Sequence, residues 1–167
     1  MTNSLVTMAD LPEIRTRNRE DQIVFVTGVF DVTHPGHILF FEACKRLGDI
    51  LVVGLGNDAQ VALLKPGRPF FPETWRLKIV ASFKPVDYCF IGTPETVAHH
   101  LRIVELGFAM LRPNVYVVND DASDIEKRRE LAQRFSVEIA IIERSSYPTE
   151  FMSLSTTKIL EKIRETL

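Results

Sequence analysis

His34 and His37 stand three residues apart in the stretch VFVTGVFDVTHPGHILFFEACKRLGDILVVG, where an apolar run breaks off into Gly28, Phe30 and Asp31 before an amphipathic segment begins. A strand over 23–28 followed by a helix from near Gly36 would set both imidazoles at the helix's amino end, on one face. Two ring donors would then lie beside free backbone amides and the positive end of the helix dipole, an arrangement that attracts an anion. Gly36 leaves room for a phosphate between them, and Gly28 lets a ligand come close to the strand end. The constellation suits a nucleoside triphosphate better than a single phosphate. Taken alone, the pair also fits satisfied surface histidines or half of a zinc site, although no thiol or further ligand stands nearby at metal-binding spacing. The adjacent His99 and His100 fall in a helical pattern without a supporting motif, and no role is assigned to them.

The elements that must position these residues can be read from periodicity. Short apolar, β-branched runs at 23–28, 50–56, 87–92, 114–118 and 137–142 predict strands, and because they are apolar throughout they predict burial on both faces, hence a parallel sheet. Helical patterns occupy 36–47, 73–83, 95–110 and 124–135, and STTKILEKIRETL closes the chain as a last helix. The alternation predicts an α/β, Rossmann-like doubly wound fold of about five parallel strands with helices on both faces. Ligands are expected at the carboxyl ends of the strands, near the point where strand order reverses. Phe40 and Phe41 are expected in the core against the sheet. Residues 1–20, polar and mixed, predict an N-terminal arm or short leading helix, and 21–167 a single domain.

A chain of 167 residues is large enough for one substantial core. Its net charge of −2, with acidic and basic residues interspersed, suggests neither a nucleic-acid face nor a membrane-attracted surface, so an anionic ligand must be held locally. Cys44 and Cys89 sit inside apolar runs and read as buried free thiols of a reducing compartment. With no basic segment leading an apolar one at the start, and no run of about 18 apolar residues, a soluble, cytoplasmic protein is expected.

The motifs together resemble one family. GVFDVTHPGH is similar to the GxFDxxHxGH pattern of the cytidylyltransferase-like nucleotidyltransferases, which include glycerol-3-phosphate and phosphoethanolamine cytidylyltransferases and the adenylyltransferase that makes ADP-heptose. GNDAQVALLK resembles the family segment that ends in a phosphate-contacting lysine, here Lys65. RPFFPETWR is similar to the Arg-Pro stretch and following helix arginine of the heptose enzyme, here Arg68 and Arg76. SLSTTKIL resembles the ISTTxI signature, with Ser155, Thr156 and Thr157 opening the last helix. The resemblance spans roughly 23–162 and implies in-line attack of an acceptor phosphate on the α-phosphorus of a nucleoside triphosphate, with pyrophosphate leaving.

On that resemblance His34, His37 and Lys65 are the catalytic residues. Gly28, Phe30, Asp31, Gly36, Arg76, Asn119, Asp120, Ser155, Thr156 and Thr157 bind the nucleoside triphosphate, and Arg68 and Arg144 face the acceptor. Mg²⁺ rides on the triphosphate with no direct protein ligand, and the chain forms a homodimer. Asp31 reads as structural or metal-proximal rather than as a base, because a phosphate monoester is already ionised. Other readings stay open: Lys65 as a solvated lysine, Arg68 and Arg76 as braces paired with Glu73, and the Ser-Thr-Thr run as an ordinary helix cap.

Two departures from the family pattern bear on substrate. The loop VNDDA, with Asn119, Asp120 and Asp121, replaces the family's Gly-Asp-Asp-Trp or Lys-Gly-Gly-Asp element over the base, and SSYPTEFMSL adds residues after Arg144. The leading expectation is transfer of CMP, less readily AMP, from CTP or ATP to a small phosphorylated alcohol or sugar, in the manner of glycerol-3-phosphate cytidylyltransferase. The alternatives are an ADP-heptose-type or FMN adenylyltransferase and, of another class, a non-catalytic nucleotide-binding sensor module.

Overall fold

A computed structural model of the chain describes residues 5–97, 99–151 and 155–166. The apolar runs form β1 (Ile23–Gly28), β2 (Ile50–Leu55), β3 (Tyr88–Ile91), β4 (Val115–Asn119) and β5 (Glu138–Ile142). They make one five-stranded sheet in the order β3-β2-β1-β4-β5, with every neighbouring pair parallel. The chain winds outward from β1 to β3, then returns to place β4 on the other side of β1. The carboxyl ends of β1 and β4 therefore flank the crevice at which such sheets take ligands.

Side chains alternate across the sheet, so each strand feeds two cores. Ile23, Phe25, Val52, Tyr116 and Val118 pack against α1 (Leu11–Arg17), α5 (Arg102–Leu111) and α6 (Ile125–Arg134). Val24, Val26, Leu51, Val53 and Val117 pack against α2 (Pro35–Lys45) and α4 (Glu73–Ala81). Phe40 and Phe41 lie in the second core as expected, with Cys44 and Cys89, whose buried thiols are pushed up, that of Cys89 to about 12. The segment read as an arm or leading helix carries α1, and its Met8, Leu11 and Ile14 are buried in the first core. Ahead of it, Val6 donates its amide to the Cys89 carbonyl at 3.0 Å beside the edge strand β3.

Two helices differ from expectation. A short helix, α3 (Asp58–Leu64), follows β2, capped by Asn57, whose side chain accepts from the Gln60 amide at 2.8 Å; periodicity was too short there to announce it. The pattern at 95–110 divides into a 3₁₀ turn, Pro94–Val97, and α5, which begins only at Arg102. The His99 ring accepts the Leu101 amide at 3.2 Å, a local side-chain bond that competes with helix continuation. The last helix, α7, runs Thr156–Thr166 with no buried residue. No described helix is long and apolar enough to cross a membrane.

Candidate functional site

A cavity of about 630 Å³ lies over the carboxyl ends of the strands. Its walls bring together Gly28, Phe30, Asp31, His34, His37, Lys65, Arg68, Asn119, Arg144, Ser155, Thr156 and Thr157 from separate parts of the chain.

His34 is the residue that starts α2. Its backbone is extended, and its ring Nδ1 accepts the Gly36 amide at 3.2 Å, while the Nδ1 of His37 accepts the His34 amide at 3.3 Å. Each ring thus satisfies a helix-end amide, and in a neutral imidazole an accepting Nδ1 leaves the proton on Nε2. Burial lowers the His34 pKa, with the Arg144 charge adding to it. Burial, then His34 and Arg144, pushes His37 down to about 3. Both rings are therefore neutral Nε2–H donors near pH 7. The two ring centroids are 4.1 Å apart, and the Phe30 ring meets His37 edge-on at 5.6 Å.

The loop between β1 and α2 is shaped from within. Phe30 and Val32 take left-handed backbone, φ 52° and 48°, which a β-branched valine adopts only when its surroundings hold it. The Phe30 ring comes to lie over Gly28, where an added Cβ would approach it to 2.7 Å. Gly28 is thus small to seat Phe30, a different reason from the ligand approach expected of it. Asp31, buried, accepts from the Phe70 and Phe71 amides at 2.9 and 3.0 Å and from Arg68 Nη1 at 2.9 Å. Burial alone would raise its pKa, but the two amides and the Arg68 guanidinium outweigh this and hold it below the usual range. The carboxylate fastens the 68–71 stretch to the site, and Arg68, tied to it through Nη1, lines the cavity.

Arg76 does not reach the cavity. It is fully buried, donating to the carbonyls of Phe71, Val29 and Gly56 and to Asp58 Oδ1 at 2.7 to 3.1 Å. The reading of Arg76 as a triphosphate ligand is corrected: it braces the loops that form the wall. Its partner is Asp58, not Glu73; Asp58 and Glu73 instead accept from each other's backbone amides at 3.1 and 2.7 Å, capping α4 and α3 reciprocally. Gly36 and Asp120 also lie outside the described cavity wall. Asp120 accepts the Arg144 amide at 3.4 Å, whereas its neighbour Asp121 faces the cavity and pairs with Arg144 Nη2 at 2.8 Å. Asn119 Oδ1 accepts from the Tyr147 hydroxyl at 3.3 Å. Lys65, at the end of α3, is exposed at the rim and has no partner among the described residues.

At the amino end of α7, Ser155 Oγ accepts the Lys158 amide at 3.2 Å and caps the helix, while Thr156 Oγ1 donates to the Asp31 carbonyl at 3.1 Å. The helix start is thereby pinned beside the histidine loop. Of the 145–154 insertion, residues 152–154 lie outside the described residues.

Sequence reasoning missed one wall altogether. Thr27, His100, Ile103, Ser123, Asp124 and Arg128 line the cavity between α5 and α6. His100 Nε2 bonds Asp124 Oδ2 at 2.9 Å, and Arg128 donates to the Tyr116 hydroxyl, which lies 2.9 Å from Thr27 Oγ1. His100 was passed over because it was placed inside a helix; it stands instead in the turn before α5. The polar Thr27 at the end of an apolar strand was the one available signal.

The site thus offers neutral ring donors, two helix amino ends, a lysine without a partner among the described residues and a held loop around one space, which can orient and neutralise several phosphate groups without a covalent step. Comparison with known proteins gives the family. The family described as Cytidylyltransferase-like matches residues 25–162. The chain is 34% identical over 150 residues to the Bifunctional protein HldE of Campylobacter jejuni subsp. doylei, covering 89% of this chain but 29% of that protein. It thus spans under a third of the length of that relative. It is 33% identical over 145 residues to the FAD synthase of Methanoculleus marisnigri, covering 86% of this chain and 89% of that one. Among solved structures, a lipopolysaccharide core biosynthesis protein from Thermoplasma volcanium superposes with a TM-score of 0.60 at 27% identity, over 74% of this chain and 95% of that one. With the sheet, the histidine loop and the match over 25–162 in agreement, the chain belongs to the cytidylyltransferase-like family of nucleotidyltransferases.

Proposed function

We propose that this chain transfers an adenylyl group from ATP to the phosphate of a small phosphorylated acceptor and releases pyrophosphate. The observation that carries the reading is the pair of neutral Nε2–H donors at the head of α2, in the same cavity as the pinned amino end of α7 and Lys65. The acceptor's phosphate oxygen attacks the α-phosphorus in line. His34 and His37 donate to the phosphate oxygens as charge builds, Lys65 bridges the acceptor and α-phosphate, and the amides of α7 with Ser155 and Thr157 hold the departing pyrophosphate. Arg144, paired with Asp121, stands beside the histidines and adds positive potential, and Asn119 presents its amide toward the base. Mg²⁺ on the triphosphate would offset part of its charge.

AMP is preferred to CMP because the named relatives, HldE of ADP-heptose synthesis and FAD synthase, both concern adenylyl compounds. That reverses the preference for CTP drawn from the VNDDA loop. The reading includes a homodimer, supported by the exposed Leu63, Leu64, Phe70 and Trp75 on α3 and the 68–75 stretch.

The test is pyrophosphate release with ATP or CTP, Mg²⁺ and a panel of sugar 1-phosphates, glycerol 3-phosphate and FMN. Acceptor-dependent release from ATP is expected. Faster release from CTP restores the cytidylyl reading, and nucleotide binding without release from any pair identifies a sensor module and removes the enzymatic one.

A further inference from the structure

The two places where the chain departs from its family's pattern touch each other. The stretch added after Arg144 folds back at once through a 3₁₀ turn, Arg144–Ser146, in which the Ser146 and Tyr147 amides donate to the Glu143 and Arg144 carbonyls at 3.0 and 3.1 Å. The turn sets the Tyr147 ring against the second core, partly buried, and brings its hydroxyl to 3.3 Å from Asn119 Oδ1, at the end of β4 where the altered loop begins. Tyr147 does not line the cavity, whereas Asn119 does.

Proton bookkeeping gives this contact a direction. Burial above all pushes the Tyr147 pKa up to about 12, so the phenol keeps its proton, and Asn119 Oδ1 is the one acceptor for it among the described residues. A carboxamide left to itself can turn by half a revolution and offer a ligand either its oxygen or its NH₂ group. Here the oxygen is engaged by Tyr147, and Nδ2, with no partner among the described residues, is the end left for the cavity. Two residues on, Asp121 lines the same cavity. Its carboxylate, paired with Arg144 Nη2 at 2.8 Å, can only accept, and one guanidinium leaves it lone pairs for a further donor. A fixed donor thus stands beside a fixed acceptor.

We infer that Tyr147, in the added stretch, is a positioning residue for base selection: it holds Asn119 as a donor, and Asn119 with Asp121 selects a base whose edge carries a ring-nitrogen acceptor beside an exocyclic amine. Adenine, with N1 beside its 6-amino group, and cytosine, with N3 beside its 4-amino group, both carry that edge. Hypoxanthine and uracil reverse it, with a ring N–H beside a carbonyl oxygen. A reversed edge sets donor against donor and acceptor against acceptor, which leaves polar groups on both sides unpaired. The inference rests on the triphosphate site of the function proposed above, but not on its acceptor nor on the choice between ATP and CTP.

The test is a set of binding titrations of the full chain with Mg²⁺ and no acceptor. ATP should bind about tenfold or more tightly than ITP, and CTP likewise more tightly than UTP, so the contrast reads out whichever of ATP and CTP is the substrate. Tyr147→Phe frees the carboxamide to turn, and the ratio of ATP to ITP affinity should fall to about threefold or less through a gain for ITP, with the melting temperature little changed. A loss of packing does not strengthen the binding of any ligand. Asn119→Asp, which can only accept, should invert the ratio, and it keeps the edge reading open to test where Tyr147→Phe does not fold. A parent chain that binds both members of each pair alike, or an Asn119→Asp variant with the parent's ratio, overturns the edge reading. An unchanged ratio in Tyr147→Phe, or an equal loss of ATP and ITP, overturns the positioning role. Failure of all four triphosphates to bind overturns the inference together with the site, whereas an absence of pyrophosphate release counts against the proposed function alone.

Discussion

On the proposed function, His34 and His37 would do their structural and their chemical work through different nitrogens of the same ring. Nδ1 caps the helix and Nε2 points its proton away from it, so the ring's orientation is set before any ligand arrives. Donors fixed in advance contribute most as charge develops on the transferring phosphate. His37→Ala should lower turnover by about two orders of magnitude with a much smaller change in ATP affinity, read from steady-state kinetics beside a binding titration. The double variant with His34→Ala should lose less than the sum of the two if, as proposed, both act on one triphosphate. A second consequence concerns acid. His37 stays neutral in the folded protein down to about 3, while in the unfolded chain it titrates near 6.5. Below that value the unfolded state binds a proton that the folded state refuses, so stability present above pH about 6.5 is lost as pH falls toward about 3. Melting temperature measured across this window should fall less steeply in His37→Gln than in the parent. Equal slopes would show that burial of this ring does not govern acid sensitivity.

Among the elements, the bracing of α3 and α4 rests on one guanidinium. Arg76 satisfies three carbonyls and a carboxylate at once from a fully buried position, and a lysine's single ammonium cannot reproduce that fork. Arg76→Lys should cost about 3–5 kcal/mol in denaturant unfolding, most of it from carbonyls and a charge left without partners. The helix α7 predicts the opposite pattern. With no buried residue, it adds little to the core, so Thr156→Ala should leave the melting temperature almost unchanged yet, on the proposed function, weaken ATP binding more than AMP binding, because the tie to Asp31 that seats the helix start is cut. Equal losses for both nucleotides would assign the helix to the fold alone. The same elements show what could be read in advance. All five strands were legible because doubly buried parallel strands are continuous apolar runs, and the histidine loop was legible because Gly28, Asp31 and the paired histidines interrupt one of them. Short α3 and the broken 95–110 stretch were not, since a helix of two turns has no measurable period and the His99 ring ends one where the pattern continues. Arg76 was misread because an arginine's sequence position carries no sign of whether its head turns inward. The wall of Thr27, His100 and Asp124 joins residues that only the winding of the sheet brings together.

For the molecule as a whole, the exposed large apolar side chains include Trp75, 61% accessible, Leu63 and Phe70, all on or beside the braced pair of helices. Apolar surface of this size left in water favours association. Sedimentation equilibrium should return a dimer for the parent chain and a monomer for Trp75→Glu; a monomeric parent would set the homodimer aside. The contact between Thr156 and Asp31 joins residues 125 positions apart, and it concerns the order of events in biosynthesis. By the time β5 has been made, every strand and both cores are available, and α7 buries nothing in either. A chain that stops before Ser155 would keep every strand and both cores, yet would lack the helix start proposed to seat the departing phosphates.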